Sequence, residues 1–254
     1  MAERYGVDDR WPVITEPFSQ WVIEDDFCNG RPPLDQVGVR FVADVSRYEL
    51  MKTRLLNAGH CALGYLGTLA GHTRIDEVMT EPVFWDYLTG MLDDEVVPLL
   101  PPPEGIDLPH YRRTLVRRFA NPAIADGLPR LCRRGSTKMP HHLLPSLREA
   151  LDQGRPHALL TLAVAAWFRY LQGTDDDGRP IVVDDPRGED LQALARAGGD
   201  DPRPLLAERS VFGDLGDRPE LVAELSAALA RLGRDGARAT MAAHLYVARG
   251  GMAP

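Results

Sequence analysis

The chain has 254 residues, and its 29 Lys and Arg side chains against 37 Asp and Glu give a formal net charge of −8. With 44% hydrophobic and 26% charged residues it is typical of a globular domain, not of a disordered or fibrous chain. The acidic balance argues against nucleic acid as a partner, which needs a basic surface. The longest apolar stretch, residues 158–168, is too short to span a membrane, so no membrane partner is expected either.

The cysteines indicate the compartment. Cys28, Cys61 and Cys132 are odd in number and form no CxxC pair, so we expect free thiols that serve as packing residues in a reducing environment. The first residues lack the basic-then-apolar order of a signal peptide. We therefore expect a cytoplasmic protein.

Lysine is scarce in this sequence. Of the 29 basic side chains, only Lys52 and Lys138 are lysines, and the other 27 are arginines. An amine can lose its proton when it is buried, whereas a guanidinium cannot. Either the two lysines have survived by chance, or at least one of them works as an amine.

The first half of the chain is predicted to form an irregular arm followed by helices. Ser46-x-x-Glu49 has the spacing of a capping box, so a long helix is expected to begin there and to end near Gly71. The elements expected up to residue 133 are an irregular arm over 1–20, a strand over 37–45, and helices over 46–71, 82–97, 110–119 and 121–133, with an extended proline-rich connection over 98–109.

Helices are also predicted for the second half. The segment 156–171 is apolar on nearly every face and should be the buried central helix. The other predicted elements are helices over 140–153, 187–197, 217–233 and 235–248, and a short strand over 181–183. The fold class is therefore mostly α, with a few short strands near the N-terminus and without the G-x-G-x-x-G turn of a dinucleotide-binding domain.

One helix carries a group of residues suited to alcohol and carbonyl chemistry. An α-helix turns by about 100° per residue around its axis, so Lys52, Asn57 and His60 lie at about 0°, 140° and 80°, on a broad polar arc. A neutral lysine can take an alcohol proton, while an amide and an imidazole polarise the oxygen. The alternative is a solvated helix face with a structural Asn and His.

The surrounding segments resemble a known family. The motif Lys52-x4-Asn57-x2-His60 is similar to the catalytic helix of the long-chain mannitol dehydrogenases, which are NAD(P)-dependent and act on polyols. The resemblance covers about residues 16–250, in the substrate-binding half of these enzymes, and implies a multi-helical domain like the C-terminal domain of 6-phosphogluconate dehydrogenase. The other matching segments are 18–27, 105–108, 118–126, 128–138 and 165–167.

The resemblance implies a role for each matching residue. Lys52 corresponds to the general base, Asn57 to an amide that holds the substrate oxygen, and His60 to the residue that orients the substrate. Glu49 corresponds to a carboxylate that gates proton exit. Arg130 and Lys138 correspond to polyol-binding positions, so both lysines fall on functional positions.

The resemblance also implies an NAD- or NADP-binding Rossmann domain, which these 254 residues do not encode. On this basis we expect residues 1–15 to be an arm and residues 16–254 to be the substrate domain. A split enzyme with a separate Rossmann-domain partner chain, a truncated reading frame and a stand-alone relic all remain open. So does a non-catalytic helical domain that binds a polyol or a protein. Within the catalytic alternative, the expected reaction interconverts a sugar alcohol and a ketose, D-mannitol and D-fructose above all.

Three further patterns do not predict sites. The acidic run 175–178 lacks the full length and the terminal Glu of a calcium loop, and an acidic turn is expected. His141 and His142 are adjacent and point to different helix faces, without a third ligand at metal spacing, so no metal is expected. The arginine pairs 112–113 and 117–118 are interpreted as an exposed helix face.

Overall fold

The computed structural model describes residues 2–13, 15–248 and 250. The chain divides into two compact units, one up to Val45 and one from Ser46 onward. The sequence pattern starts the helical domain at residue 16, whereas this division assigns residues 16–45 to the first unit. Met1 and Ile14 of the expected arm, and residues 249 and 251–254, lie outside the described residues.

The first unit contains a small parallel sheet. Its elements are helix α1 (Ala2–Tyr5), strand β1 (Val22–Glu24) and strand β2 (Arg40–Val42), and Ile23 lies opposite Phe41 in the sheet. The predicted strand over 37–45 is shorter than expected, because a 3₁₀ turn ends at Val37 and Gly38 then adopts a φ of 91°. The short helix α1 within the predicted irregular arm was not expected.

The second unit is helical, which confirms the predicted fold class. Its described α-helices are α2 (Ser46–Met51), α3 (Ala58–Leu69), α4 (Ile75–Val78), α5 (Pro82–Gly90), α6 (Leu108–Phe119), α7 (Leu128–Cys132), α8 (Gly135–His142), α9 (Leu144–Asp152), α10 (Ala158–Leu171), α11 (Gly188–Gly198), α12 (Arg203–Leu206), α13 (Arg209–Phe212) and α14 (Pro219–Ala248). Two π-helical turns, Lys52–Asn57 and Met91–Val96, and two 3₁₀ turns, Val97–Leu99 and Leu215–Asp217, complete these elements. Within the described residues no helix is both long enough and apolar enough to cross a membrane.

Helix α10 is the centre of the second unit, as predicted. It packs against α3 and α14, and nearly all of its side chains are buried. Its N-terminus is satisfied by a buried carboxylate, since Glu95 accepts hydrogen bonds from the backbone N–H groups of Leu159 and Leu160, each at 2.8 Å. A carboxylate at this helix end pairs with orphan donors and with the positive end of the helix dipole.

Two predicted elements are wrong and one is divided. The helix over 121–133 forms only as α7, because the side-chain oxygen of Asn121 accepts the N–H of Ala123 and Ala125 takes a φ of 48°, which makes a turn. No strand forms over 181–183. The predicted helix over 140–153 is two helices, α8 and α9. The two helices predicted over 217–248 are confirmed as the two parts of α14, which are separated by the non-helical Gly236.

Glycines on α3 allow neighbouring helices to approach it closely. A Cβ atom on Gly67 would lie 2.6 Å from Cγ2 of Val78 on α4 and 3.0 Å from Cδ1 of Leu128 on α7. A Cβ atom on Gly64 would lie 3.2 Å from Sγ of Cys132 at the other end of α7. Helix α7 therefore packs directly on the backbone of α3.

Gly67→Ala should destabilise the domain by about 1–3 kcal/mol, because the added methyl group overpacks a buried contact. Gly233→Ala is the matched control, since Gly233 is an exposed helical glycine whose nearest neighbour to the new Cβ is 3.8 Å away. This control should instead stabilise the domain by about 0.5–1 kcal/mol. Urea denaturation followed by circular dichroism measures both changes, and an unchanged midpoint for Gly67→Ala would contradict the close packing.

Candidate active site

The candidate site begins at an irregularity in the helix from Ser46 to Leu69. Between α2 and α3, the residues Lys52–Asn57 form a π-helical turn, and the N–H of Ala58 donates to the carbonyl of Thr53, five residues earlier. In such a turn, residues five apart lie on the same face, whereas an α-helix would place them on different faces. The π turn therefore brings Lys52 and Asn57 onto one face.

The π turn is tied to the rest of the domain by an ion pair. Arg54 extends from the turn and donates to Glu149 on α9. Only 12% of the Arg54 side chain is exposed, so this pair is shielded from solvent more than a surface salt bridge is. The pair fixes the turn against α9.

The sequence-predicted residues on this helix differ in exposure. Lys52 and Glu49 are exposed, and Glu49 lies on α2 three residues before Lys52, while Asn57 and His60 are partly buried. Within the described residues, the Lys52 side chain is therefore open to solvent.

His60 stacks on Phe119 of α6, with ring centroids 4.4 Å apart and planes at 26°. The approach is close because Gly59 precedes it, and a Cβ atom there would lie 3.1 Å from the Phe119 ring. Burial lowers the pKa of His60 to about 4; the charge of Asp126 opposes this shift, and the charges of Arg130, Lys138 and Arg118 reinforce it. His60 is therefore neutral at neutral pH, with the carboxylate of Asp126 and three cations acting on it.

Arg130 lies on α7 and Lys138 on α8, within the segment 128–142 that is here named the α7–α8 turn. Arg134 takes the left-handed conformation (φ 59°, ψ 41°) and reverses the chain, and its N–H donates to the carbonyl of Asp184 at 2.7 Å. Lys138 then donates to the carbonyls of Arg130 and Leu131, at 3.3 and 3.2 Å, at the C-terminal end of α7. Burial lowers the pKa of Lys138, and the charges of Arg130 and Arg133 lower it further, while Cys61 opposes them.

The start of α8 is held rigidly. A Cβ atom on Gly135 would lie 2.5 Å from Nε1 of Trp167 and 2.6 Å from the hydroxyl of Tyr65, so α8 begins directly against the buried aromatic core. Ser136 donates from its N–H and its hydroxyl to the carboxylate of Asp185, at 2.7 and 2.6 Å. These contacts fix the direction in which Lys138 leaves the backbone.

Sequence reasoning missed two residues of the site. Asp126 accepts two hydrogen bonds from Arg130, one of them 2.6 Å long from Nε, and thereby orients the guanidinium. His142 lies beside Asn57, with Nε2 3.4 Å from the amide nitrogen. Asp126 stands at the end of one of the family-like segments, and this position was the sequence signal that could have identified it.

The prediction that Arg118 lies on an exposed face is incomplete, since Arg118 is partly buried and its charge acts on His60.

The two buried thiols are poor nucleophiles. Cys61 and Cys132 are buried free thiols, and burial raises the pKa of each to about 12, while Cys28 is exposed. Among the described residues, no group of three or more His, Cys, Asp or Glu side chains is placed to hold a metal ion.

The structure links these residues in part. The charges of Arg130 and Lys138 act on His60, and the charge of Lys52 acts on His142, which lies beside Asn57. Lys52, Asn57 and His60 come from one helix, and Arg130 and Lys138 come from the α7–α8 turn. Amide and imidazole N–H groups can donate to a carbonyl or alcohol oxygen, and an amine in its neutral form can accept a proton. Cations nearby stabilise negative charge that develops on that oxygen.

Comparison with known proteins identifies the family of this chain. The chain matches the family model described as the mannitol dehydrogenase C-terminal domain over residues 44–233. The mannitol 2-dehydrogenase of Aspergillus fumigatus is 47% identical over 245 residues, a match that covers 95% of this chain and 49% of that protein. The structure of Pseudomonas fluorescens mannitol 2-dehydrogenase in ternary complex with NAD and D-mannitol superposes with a TM-score of 0.87 at 42% identity, and covers 95% of this chain and 49% of that one.

A second solved structure, D-sorbitol dehydrogenase in substrate-free form, has a TM-score of 0.86 at 31% identity over 94% of this chain and 50% of that one. The chain thus spans about half the length of the relatives that it matches. Since the family model covers most of the sequence and the fold agrees, this chain belongs to the mannitol dehydrogenase C-terminal domain family.

Proposed function

We propose that the chain is the substrate-binding and catalytic half of an NAD-dependent polyol 2-dehydrogenase that interconverts a sugar alcohol and a ketose. The observation that supports the proposal is the π turn over Lys52–Asn57, from which we infer that Lys52 and Asn57 share one face of the helix that also bears His60. The relatives support a polyol as the substrate class, since one is named for mannitol and another for sorbitol. D-Mannitol and D-fructose are the substrates that we propose.

In this proposal, the proton and the substrate oxygen are handled by this chain. Lys52, in its neutral form, accepts the proton of the reacting hydroxyl through Nζ. Asn57 and His60 donate hydrogen bonds to the same oxygen, which becomes more negative as the alcohol is oxidised. To Glu49, which is exposed three residues before Lys52, we assign the role of gating proton exit to solvent.

Substrate specificity is assigned to the α7–α8 turn. Arg130, held by Asp126, and Lys138, held by the carbonyls of α7, present donors in fixed directions. Polyol hydroxyls away from the reacting carbon would accept these hydrogen bonds. Such contacts exist both before and during the reaction, so they contribute mainly to binding.

The described residues do not fit a dinucleotide. Their only sheet is the pair β1 and β2 of three residues each, without the parallel strand and helix alternation that binds pyrophosphate. The N-termini of α6 and α10 are satisfied by Asp107 and Glu95. We therefore propose that NAD or NADP is held by a nucleotide-binding half outside these residues, which would also cover the exposed Lys52.

A fusion protein tests the proposed function through Lys52. The nucleotide-binding half of the Pseudomonas fluorescens enzyme, joined to this chain, should form NADH when supplied with NAD and D-mannitol, whereas the chain alone should not. Lys52→Ala in the fusion should lower kcat by about 10²–10⁴-fold, and Lys52→Arg should restore little because a guanidinium does not accept the proton.

Arg47→Ala is the matched control, because it removes an exposed cation from α2 outside the site and should leave the rate unchanged. A folded fusion protein that binds D-fructose but forms no NADH would overturn the catalytic function and favour a non-catalytic polyol-binding domain. Near-normal turnover by Lys52→Arg would show that the lysine acts only as a positive charge.

Loss of a polyol-binding residue from the α7–α8 turn is expected to change mainly KM. Arg130→Ala and Lys138→Ala should each raise KM for D-mannitol by about tenfold, the loss expected for one hydrogen bond of about 1.4 kcal/mol, with a smaller change in kcat. Arg133→Ala, on an exposed residue of the same turn, is the control. Steady-state kinetics of the fusion protein separates the two constants, and a collapse of kcat at constant KM would place these residues in the chemical step.

A further inference from the structure

His142 lies beside Asn57, and the proposed function assigns no role to it. It is the last residue of α8, one turn after Lys138, and it is partly buried while the adjacent His141 is exposed. Its Nε2 atom lies 3.4 Å from Nδ2 of Asn57, and its Nδ1 atom lies 4.0 Å from Sγ of Cys61. The imidazole thus lies between α8 and the helix that carries Asn57 and Cys61.

The charges that face His142 favour its neutral form. Burial lowers the pKa of His142, and Lys138 and His141 on α8 and Lys52 on the π turn lower it further. Cys61 on α3 is itself neutral, because burial raises the pKa of this thiol to about 12. At neutral pH, therefore, one ring nitrogen carries a hydrogen and the other a lone pair.

The contacts decide which nitrogen carries the hydrogen. The Asn57 amide nitrogen is a donor only, so the Nε2 atom that faces it must be the acceptor. The hydrogen then resides on Nδ1 and points toward Cys61 Sγ, which is a weak acceptor. Burial favours the neutral ring, and the contact with the Asn57 amide favours this tautomer of it.

We propose that His142 is a positioning residue that accepts one of the two amide hydrogens of Asn57 and so fixes the direction of the other toward the substrate oxygen. The proposal rests on the proposed function, in which Asn57 donates to that oxygen. A neutral acceptor suits this position, since an imidazolium would present a donor to a donor and turn the amide away. Without His142, the Asn57 side chain would be free to rotate, and part of the oxyanion stabilisation would be lost.

Two variants of His142 in the fusion protein separate hydrogen bonding from packing. His142→Phe retains a ring but removes the acceptor, and should lower kcat by about tenfold or more while KM for D-mannitol changes little. His142→Gln restores an acceptor oxygen near the Nε2 position and should return kcat to within about threefold of the wild-type value. His141→Phe, the same change on the exposed neighbour, should leave kcat unchanged.

The pH profile gives a readout that a merely structural role would not move. The ratio of kcat/KM between the wild type and His142→Phe cancels the pH dependence that other groups contribute. This ratio should decline toward one at pH values below the usual titration range of histidine, as Nε2 gains a hydrogen and no longer accepts from Asn57. Wild-type kcat for His142→Phe, or a ratio that does not change with pH, would overturn the proposal.

A second measurement on the 254-residue chain needs no turnover. In ¹⁵N-labelled protein, the side-chain amide resonances of Asn57 should shift with pH together with the titration of His142, and this shift should vanish in His142→Phe. An Asn57 amide that is insensitive to His142 would overturn the proposal even if the fusion is active. An inactive wild-type fusion would instead count against the proposed function, while the amide titration would still decide the role of His142.

Discussion

The candidate site depends on one departure from α-helical geometry. With α-helical spacing, Lys52 and Asn57 would lie about 140° apart around the helix, too far to act on one atom. The hydrogen bond from the N–H of Ala58 to the carbonyl of Thr53 widens the turn and brings both side chains onto the same face. Single π turns inside α-helices are frequent at functional sites for this reason. The ion pair between Arg54 and Glu149 holds the widened turn in place.

The second physical feature is a concentration of positive charge in an acidic protein. The chain carries a formal net charge of −8, yet Lys138, Arg130 and Arg118 all act on His60, and Asp126 is paired with Arg130. Burial keeps the imidazole neutral, the three positive charges reinforce this effect and Asp126 opposes it, so that the ring can donate a hydrogen bond without competing for the proton. The same charges would favour an alkoxide-like oxygen over an alcohol.

Close packing connects these two features. Gly64 and Gly67 allow α7 to lie against the backbone of α3, and Gly135 allows α8 to begin directly on Trp167 and Tyr65. The α7–α8 turn, with its polyol-binding candidates, is thereby held at a fixed distance from the helix that carries His60. A few glycines in helices, costly to local helix stability, thus set the dimensions of the site.

Sequence reasoning predicted what is encoded locally. The helix from Ser46 to about Gly71 and the buried helix α10 follow from apolar periodicity and helix-ending residues, and the scarcity of lysine singled out Lys52 and Lys138. The π turn was not predicted, because its register is set by contacts with α9 that lie far away in the sequence. The predicted helix from residue 121 is wrong because the Asn121 side chain bonds within a turn instead of capping a helix.

His142 shows a different limit of sequence reasoning. The argument that adjacent histidines face different sides of a helix is correct, since His141 is exposed and His142 is partly buried. The partner of His142, however, is Asn57 on another helix, 85 residues away in the sequence. Spacing within one segment cannot reveal a contact of this kind, and the tertiary structure is needed.

The most direct test of this account changes the spacing between Lys52 and Asn57. Inserting one alanine after Thr53 in the fusion protein places the two residues six apart, which rotates Lys52 away from Asn57, while Thr53→Ala should retain the turn. We predict that the insertion lowers the rate of NADH formation from D-mannitol by at least about 10²-fold, the effect of misplacing a reacting group by about 1 Å, in a protein whose circular dichroism and Tm show that it is folded. Thr53→Ala should retain the wild-type rate. A folded insertion variant with the wild-type rate would contradict the claim that Lys52 and Asn57 must share one face of the helix.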